Sequence, residues 1–145
     1  MTKDELAFRI ATHMRATEGA LIGTGLRLIA AREGYAQVAL DVDETMLNGH
    51  GTAHGGIIFT LADTAFAYAC NSRNEAAVAQ NASIAFLSPG RAGEALTAEA
   101  VEQASAGRSG VYTVTVRAPD DRVVAVFQGL SRTIGRPILP GELIN

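Results

Sequence analysis

The residue that folding alone explains least is Asp63, which lies in the most apolar stretch of the chain. The stretch begins after His54 and continues to Cys70, and its only other polar side chains are two threonines and a tyrosine. A helix that is apolar on every side is normally buried, and an ionised aspartate inside such a helix costs several kcal/mol unless something compensates for it. We therefore expect Asp63 to face a cleft, to have a chemical task, or both.

Two glycines, Gly55 and Gly56, lie where this helix is predicted to begin. Backbone N–H groups at a helix start have no partner within the helix, and with the helix dipole they suit a developing negative charge, such as the oxygen of an attacked carbonyl. Glycine also allows a substrate carbonyl to approach the backbone closely. The alternative is that the pair only permits tight packing of the helix on a sheet.

The spacing between Gly55 and Asp63 restricts how the two residues could act together. Eight residues of helix separate them by about 12 Å along the axis, which is too far for one small carbonyl group to meet both in the same chain. If Gly55 binds an oxyanion and Asp63 supplies a base or nucleophile, the two should come from different subunits. The alternative is that Thr60 or a neighbouring loop satisfies the carboxylate of Asp63.

Two further polar residues precede the helix. Asn48 stands before Gly49, which is typical of a turn, but its amide could also orient an acyl group or a water molecule near Gly55. His54 could cap the helix, contact a ligand or only fill the turn.

Most other kinds of catalytic or cofactor site are not indicated. The chain has no zinc-type spacing of histidine and cysteine, no complete calcium loop around Asp41–Thr45 and no G-x-S-x-G motif. The segment Gly23-Thr24-Gly25 lacks the third glycine of a dinucleotide loop, and Cys70 is interpreted as a small core residue. We therefore predict neither a metal nor a cofactor.

Composition restricts the class of protein. A chain of 145 residues with 48% hydrophobic residues and a net charge of −3 predicts one globular domain without a nucleic-acid partner. A single cysteine is consistent with a reducing cytoplasm, and the charged N-terminus lacks the apolar core of a secretory signal. The apolar run of residues 55–70 is too short to span a membrane and carries an aspartate. We expect a cytoplasmic protein.

The elements that must position these residues follow from periodicity. Residues 3–16 predict an amphipathic helix with Leu6, Ile10 and Met14 on one face, and residues 26–42 predict a hairpin that turns at Glu33-Gly34. A glycine-rich loop, the buried helix at about 54–71 and four strands follow, in the segments 76–87, 94–104, 110–118 and 122–134. Short connections favour an antiparallel sheet and thus an α+β fold. We expect one domain over 1–145, with a poorly ordered tail at 136–145 and a second copy covering the rest of the helix.

The segment NGHGTAHGGIIFTLADTAFAYACNS resembles the hotdog-fold acyl-CoA thioesterases, and specifically their PaaI-type, phenylacetate-pathway branch. The likeness continues through IAFLSPGRAGEALTAEA, GRSGVYTVTV and VAVFQGLSRTIG, so that it covers roughly residues 20–135. The resemblance implies a long central helix wrapped by a curved antiparallel sheet, in dimers that usually pair into tetramers. It also implies hydrolysis of an aryl-acetyl or hydroxylated aryl-acetyl CoA thioester, with coenzyme A as part of the substrate.

By the same resemblance, the family's catalytic acid falls on Asp63, its oxyanion-binding amide on Gly55 and its acyl-orienting asparagine on Asn48. Asp63 would activate a water molecule or attack directly to form a mixed anhydride, and the two routes stay open. Arg91 and Arg108 are candidates to hold the phosphates of coenzyme A. Phe59 and Phe66 could border the acyl pocket, although packing in the core is the favoured interpretation for both. The remaining residues that we expect to contact substrate are His54, Gly56, Leu47, Pro89, Gly90 and Ser109.

Three other interpretations compete with a thioesterase. A hotdog hydratase or dehydratase would need a histidine paired with an acid, but the chain has no histidine after His54. A non-catalytic acyl-CoA sensor attached to a DNA-binding module would need more than the roughly twenty residues before the fold. A purely structural oligomer would leave Asp63 without a purpose.

Overall fold

The computed structural model describes residues 1–141, which form two α-helices and six β-strands. The first helix, α1, precedes a β-hairpin, and the second helix, α2, precedes the last four strands. This order agrees with the one predicted from periodicity. The bounds are α1 Lys3–Thr17, β1 Arg27–Arg32, β2 Tyr35–Asp41, α2 Gly55–Cys70, β3 Ala77–Phe86, β4 Ala95–Ala106, β5 Ser109–Arg117 and β6 Val123–Thr133.

The six strands form one antiparallel sheet in the order β1-β2-β4-β5-β6-β3. The chain therefore crosses from β3 at one edge to β4 in the interior, and among the described strands β3 pairs only with β6. Along β5 the side chains of Tyr112, Val114 and Val116 are buried while their neighbours in sequence are less so, which matches the alternation of the segment GVYTVTVR. One long helix on a six-stranded antiparallel sheet is the expected hotdog fold.

Helix α2 supplies the centre of the core. Leu61, Ala62, Ala65 and Phe66 are at most 1% exposed, and they belong to one cluster with the inward side chains of the sheet. The ring of Phe66 lies 5.7 Å from that of Phe127, measured between centroids. Phe66 is therefore a core residue and not part of an acyl pocket, as packing considerations had favoured.

Helix α1 covers the β1 side of the sheet. Thr2 and Glu5 form a reciprocal capping box at its start, which satisfies two N–H groups that would otherwise lack partners. Leu6 and Ile10 are buried, and Met14 is partly buried, so the predicted amphipathic face is confirmed.

The first part of the predicted tail is held by a side chain that precedes β3. The amide oxygen of Asn74 accepts hydrogen bonds from the N–H groups of Ile138 and Leu139, at 3.0 and 2.8 Å. Its amide nitrogen donates to the carbonyl of Leu139 at 2.8 Å. The remainder of the tail, residues 142–145, lies outside the described residues.

Candidate active site

The start of α2 is organised by His54. Its Nδ1 accepts a hydrogen bond from the N–H of Gly56 at 2.8 Å, which makes His54 the N-cap of the helix. A Cβ on residue 56 would lie 3.1 Å from the same ring nitrogen, so glycine keeps this cap in place. Of the three roles considered for His54, the structure displays the capping role, and the N–H of Gly56 is already used.

Capping by His54 leaves the preceding N–H, that of Gly55, available. Within residues 1–141 no carbonyl or side chain accepts from it, and it lies at the positive end of the helix dipole. Gly55 borders a cleft of about 340 Å³ whose other walls include Asn48, Ile58 and Phe86. A free donor in a cleft at a helix start has the arrangement that an oxyanion site requires.

Asn48 lies in this cleft but also holds its own loop together. Its amide oxygen accepts from the N–H groups of His50 and Thr52 at 2.9 and 3.2 Å, and its amide nitrogen donates to the hydroxyl of Thr52 at 3.1 Å. Because an amide nitrogen carries two N–H groups, one donor has no partner among the described residues. Asn48 is thus a turn residue that retains one N–H without a partner among the described residues.

Four other residues that were predicted to contact substrate take different positions. Pro89 lines the cleft. Gly90 is buried, and a Cβ there would meet Leu96 at 3.0 Å and Ala53 at 3.2 Å, so its role in the structure is packing. Arg91 is exposed, and its backbone N–H donates a hydrogen bond to the carboxylate of Glu94. Leu47 is partly buried and packs against the core. Of these four, only Pro89 is among the residues that line the Gly55 cleft.

Asp63 lines a different cleft, of about 350 Å³. Its walls include Phe59 from α2 and Glu18 and Leu21 from the segment after α1. Within the described residues, the carboxylate of Asp63 accepts no hydrogen bond and forms no ion pair. Burial raises the pKa of this carboxyl group above its ordinary value, because a charged group is disfavoured where water is partly excluded.

The threonines beside Asp63 do not satisfy it. The hydroxyl of Thr60 donates to the carbonyl of Gly56 at 2.9 Å, and that of Thr64 donates to the carbonyl of Thr60 at 2.7 Å. Both hydroxyls therefore serve the helix backbone, and the alternative in which Thr60 partners Asp63 is not what the structure displays.

Arg108 and Ser109 lie at neither of these places. They border a third cleft, of about 230 Å³, at the end of α2 that carries Cys70. Arg108 is exposed, and within residues 1–141 its guanidinium has no hydrogen bond or ion pair. In the same cleft the guanidinium of Arg73 forms an ion pair with the carboxylate of Glu102, with an N–O distance of 2.6 Å. One chain thus distributes the predicted site residues over three separate clefts.

Several cleft residues were not predicted from the sequence. Phe86, Leu87 and Thr52 contribute to the cleft at Gly55, and Glu18 contributes to the cleft at Asp63. No motif singles them out, because β3 and the end of α1 reach α2 only through the tertiary fold. The exposed apolar pair Phe86-Leu87 at the end of a strand was the one available signal.

The described part of the chain has neither a cluster of metal-binding side chains nor a membrane-spanning helix. Among residues 1–141 no group of three histidine, cysteine, aspartate or glutamate side chains is placed to hold a metal ion. No described helix is long and apolar enough to cross a membrane.

Comparison with known proteins places this chain in a family. The model of the thioesterase superfamily matches residues 50–125. The acyl-coenzyme A thioesterase PaaI of Escherichia coli is 43% identical over 132 residues, which are 91% of this chain and 94% of that protein. The chain belongs to the thioesterase superfamily. The predicted resemblance to the PaaI-type branch is confirmed, and with it the prediction of a thioester hydrolase.

Solved structures agree with this thioesterase assignment. The PaaI protein of the Escherichia coli phenylacetic acid degradation operon superposes with a TM-score of 0.91 at 41% identity, covering 94% of this chain and 99% of that one. The protein smu.793 of Streptococcus mutans, solved with bound acetyl CoA, superposes with a TM-score of 0.76 at 27% identity. That match covers 80% of this thioesterase chain and 94% of the other.

Proposed function

We propose that this protein hydrolyses aryl-acetyl CoA thioesters, such as phenylacetyl or hydroxyphenylacetyl CoA, to the free acid and coenzyme A. The observation that carries the proposal is the pair of unpartnered groups on α2, the N–H of Gly55 and the carboxylate of Asp63. Similarity to a PaaI protein from a phenylacetic acid degradation operon supports the aryl-acetyl class.

In this proposal the thioester carbonyl oxygen points at the Gly55 N–H. As the carbonyl carbon is attacked, its π electrons move to that oxygen, and the N–H and helix dipole stabilise the negative charge. Loss of one such donor costs on the order of 100- to 1000-fold in rate in other enzymes. When the intermediate collapses, the C–S bond breaks and coenzyme A leaves as a thiolate that then takes up a proton.

Asp63 supplies the other half of the reaction by one of two routes. As a general base it removes a proton from the attacking water, and its raised pKa makes it a better base at neutral pH than an ordinary aspartate. As a nucleophile it attacks the carbonyl itself and forms a mixed anhydride, which water then hydrolyses. In both routes the reacting oxygen must reach the carbonyl that Gly55 holds.

A homodimer brings the two groups together in this proposal. Gly55 and Asp63 lie eight residues apart on one helix, about 12 Å along its axis, and they border separate clefts. A two-fold axis that sets two α2 helices antiparallel would place Gly55 of one chain opposite Asp63 of the other, and would build two equivalent sites.

The exposed edge of the sheet supports this assembly. Strand β3 pairs with β6 on one side only, and it and the residue after it expose Val78, Phe86 and Leu87, at 49%, 53% and 63%. A long apolar edge strand is a template for pairing with another chain, and Phe86 also borders the Gly55 cleft. By resemblance we extend the proposal to a dimer of dimers in the cytoplasm that needs no separate cofactor.

Coenzyme A would extend from the reacting carbonyl towards cationic side chains at the surface. Arg108 is the best candidate to bind a phosphate, because its guanidinium is exposed and has no partner among the described residues. Arg91 is a second exposed candidate, and Ser109 lies beside Arg108 in the third cleft. Arginine suits this role since its planar group can donate two parallel hydrogen bonds to a phosphate.

The test is release of free thiol from a panel of aryl-acetyl, benzoyl and straight-chain acyl-CoAs. We expect the wild type to prefer the aryl-acetyl substrates and Asp63→Asn to lose at least ~100-fold in kcat, which corresponds to ~2.7 kcal/mol. Asp41→Asn, which removes an exposed carboxylate paired with Arg27, serves as the control and should retain activity. An unchanged kcat in Asp63→Asn would remove this residue from the mechanism.

A further inference from the structure

Glu18 shares the cleft of Asp63 although it belongs to another element. It is the C-cap residue that follows α1, where its N–H donates to the carbonyl of Met14 at 3.1 Å and its own carbonyl accepts from the N–H of Leu21 at 3.2 Å. Its partly buried side chain lines the cleft together with Asp63. Two acidic residues, one from α2 and one from the segment after α1, thus border one cavity.

A carboxylate at this place is unfavourable for the fold. Burial is the main cause that raises the pKa of Glu18, and repulsion from Asp63 raises it further. The carboxylate also lies at the C-terminal end of α1, where the helix dipole disfavours negative charge. Within residues 1–141 no lysine or arginine forms an ion pair with it. Glutamine would fill the same space without these costs, so folding alone does not explain Glu18.

Tyr68 holds the Glu18 carboxylate in position. Its hydroxyl donates to Oε2 of Glu18 at 3.4 Å, and its side chain is fully buried in the core. Tyr68 follows Asp63 by five residues on α2, so this hydrogen bond ties the turn after α1 to the helix that carries Asp63. The bond also favours the ionised form of Glu18.

We propose that Glu18 is a positioning residue for Asp63: held by Tyr68, it keeps a second negative charge at the cleft and so makes Asp63 a stronger base. This inference rests on the proposed function, in which Asp63 acts on a water molecule or on the thioester. Repulsion between two carboxylates is mutual, so each resists ionisation more when the other is charged. A base is most effective when its pKa lies near the working pH.

The other titratable groups nearby do not substitute for Glu18. On α1 the guanidinium of Arg15 donates to the carbonyl of Leu26 at 3.0 Å. Burial is the main cause that raises the pKa of the Tyr68 hydroxyl, and the positive charge of Arg15 opposes that rise. On α2 burial, followed by the charge of Asp63, raises the pKa of Cys70 to about 12, so this thiol is neutral at working pH. Among the described residues, no charged side chain of the sheet lines the cleft.

The experiment compares the pH dependence of kcat/KM in the wild type, Glu18→Gln and Glu18→Asp, with aryl-acetyl CoA as substrate. Glutamine removes the charge but keeps an acceptor for Tyr68, so Asp63 ionises more easily and the acid limb should move to lower pH by roughly half a unit or more. At the plateau kcat should fall several-fold, since a weaker base is less effective, with little change in KM. Glu18→Asp retains a carboxylate and should restore most of the wild-type profile.

The matched control is Glu99→Gln. Glu99 also accepts from a tyrosine hydroxyl, that of Tyr35 at 2.6 Å, but it is exposed on β4, where its neighbours Ala98 and Ala100 face the core. This variant removes the same charge and should leave the profile unchanged. A folded Glu18→Gln enzyme, with wild-type circular dichroism and an unmoved acid limb, overturns the role of Glu18. If Asp63→Asn keeps the acid limb, the proposed function itself fails, whatever Glu18 does.

Discussion

At the scale of single residues, the chemistry that we propose at Gly55 depends on a backbone N–H group. His54 occupies the next N–H by capping, which leaves that of Gly55 as the donor that faces the cleft. Glycine suits the position because a Cβ there would lie 3.2 Å from the ring of Phe86. Substitution of Gly55 by alanine therefore tests only the space around this residue, whereas substitution by proline also removes the backbone N–H.

Gly55→Pro should abolish most of the activity, by about 100-fold or more relative to Gly55→Ala. Proline is well accepted at the first position of a helix, and His54 already has the extended backbone, with φ −61° and ψ 138°, that precedes proline. Both variants add carbon atoms next to Phe86, but only proline deletes the N–H. The measurement is kcat on aryl-acetyl CoA, and equal activities in the two variants would exclude the Gly55 amide as the oxyanion donor.

The sequence predicted part of this site for physical reasons that are local. An aspartate in an apolar helix and two glycines at the start of that helix are visible in the sequence alone. Helix geometry then gives the distance between Gly55 and Asp63 along the axis. Glu18 could not be predicted because only the packing of α1 against α2 brings it to Asp63. The position of Arg108 in a third cleft could not be predicted either. The spacing of residues along the chain does not indicate which end of α2 lies next to the turn between β4 and β5.

At the scale of elements, the packing of α2 on the sheet depends on a glycine in β6, Gly129. A Cβ on Gly129 would lie 2.7 Å from the ring of Phe66, closer than carbon atoms pack. The ring cannot easily move, because it lies edge-on to Tyr112 with centroids 5.6 Å apart and against Phe127 on another side. Gly129 and Phe66 thus fix how closely α2 approaches the sheet.

Gly129→Ala should destabilise the protein by about 1–3 kcal/mol, the usual cost of overpacking a core. Thermal unfolding at equal protein concentration measures the loss, with Gln128→Ala at the exposed neighbouring position as control. Adding Phe66→Leu should recover part of the stability, since it removes the ring that the new methyl group meets. If the double variant instead loses, relative to Gly129→Ala, all of the stability that Phe66→Leu costs in the wild type, the methyl group does not clash with the Phe66 ring.

The elements themselves were predictable, but their arrangement in the sheet was not. Alternation in β5 and the continuous apolar run in α2 report burial directly, so element types and approximate bounds followed from the sequence. The position of β3 beyond β6 is decided by long-range pairing, such as Ile84 with Phe127, and short connections do not reveal it. The anchoring of the chain after β6 by Asn74 is also a tertiary contact.

At the scale of the whole molecule, the proposed mechanism needs two groups that one chain places in separate clefts. The Gly55 cleft has a free helix-start amide and no acid among its lining residues, and the Asp63 cleft has acids but no such amide among its own. The unpaired edge of β3 ends at Phe86, which borders the Gly55 cleft. A second chain at this edge would complete both sites at once, so activity should depend on assembly.

Mixing two inactive variants tests this dependence directly. Asp63→Asn and Gly55→Pro chains carry different defects, so a mixed dimer contains one site with both defects and one site with neither. Co-expression with two tags in equal amounts should therefore restore about a quarter of the wild-type activity, since half of the dimers are mixed and each has one intact site. The mixed dimers, purified through both tags, should reach about half of the wild-type activity for the same reason. If each chain held a complete site of its own, every site in every mixture would carry one defect, and the activity would stay at the level of the two parents.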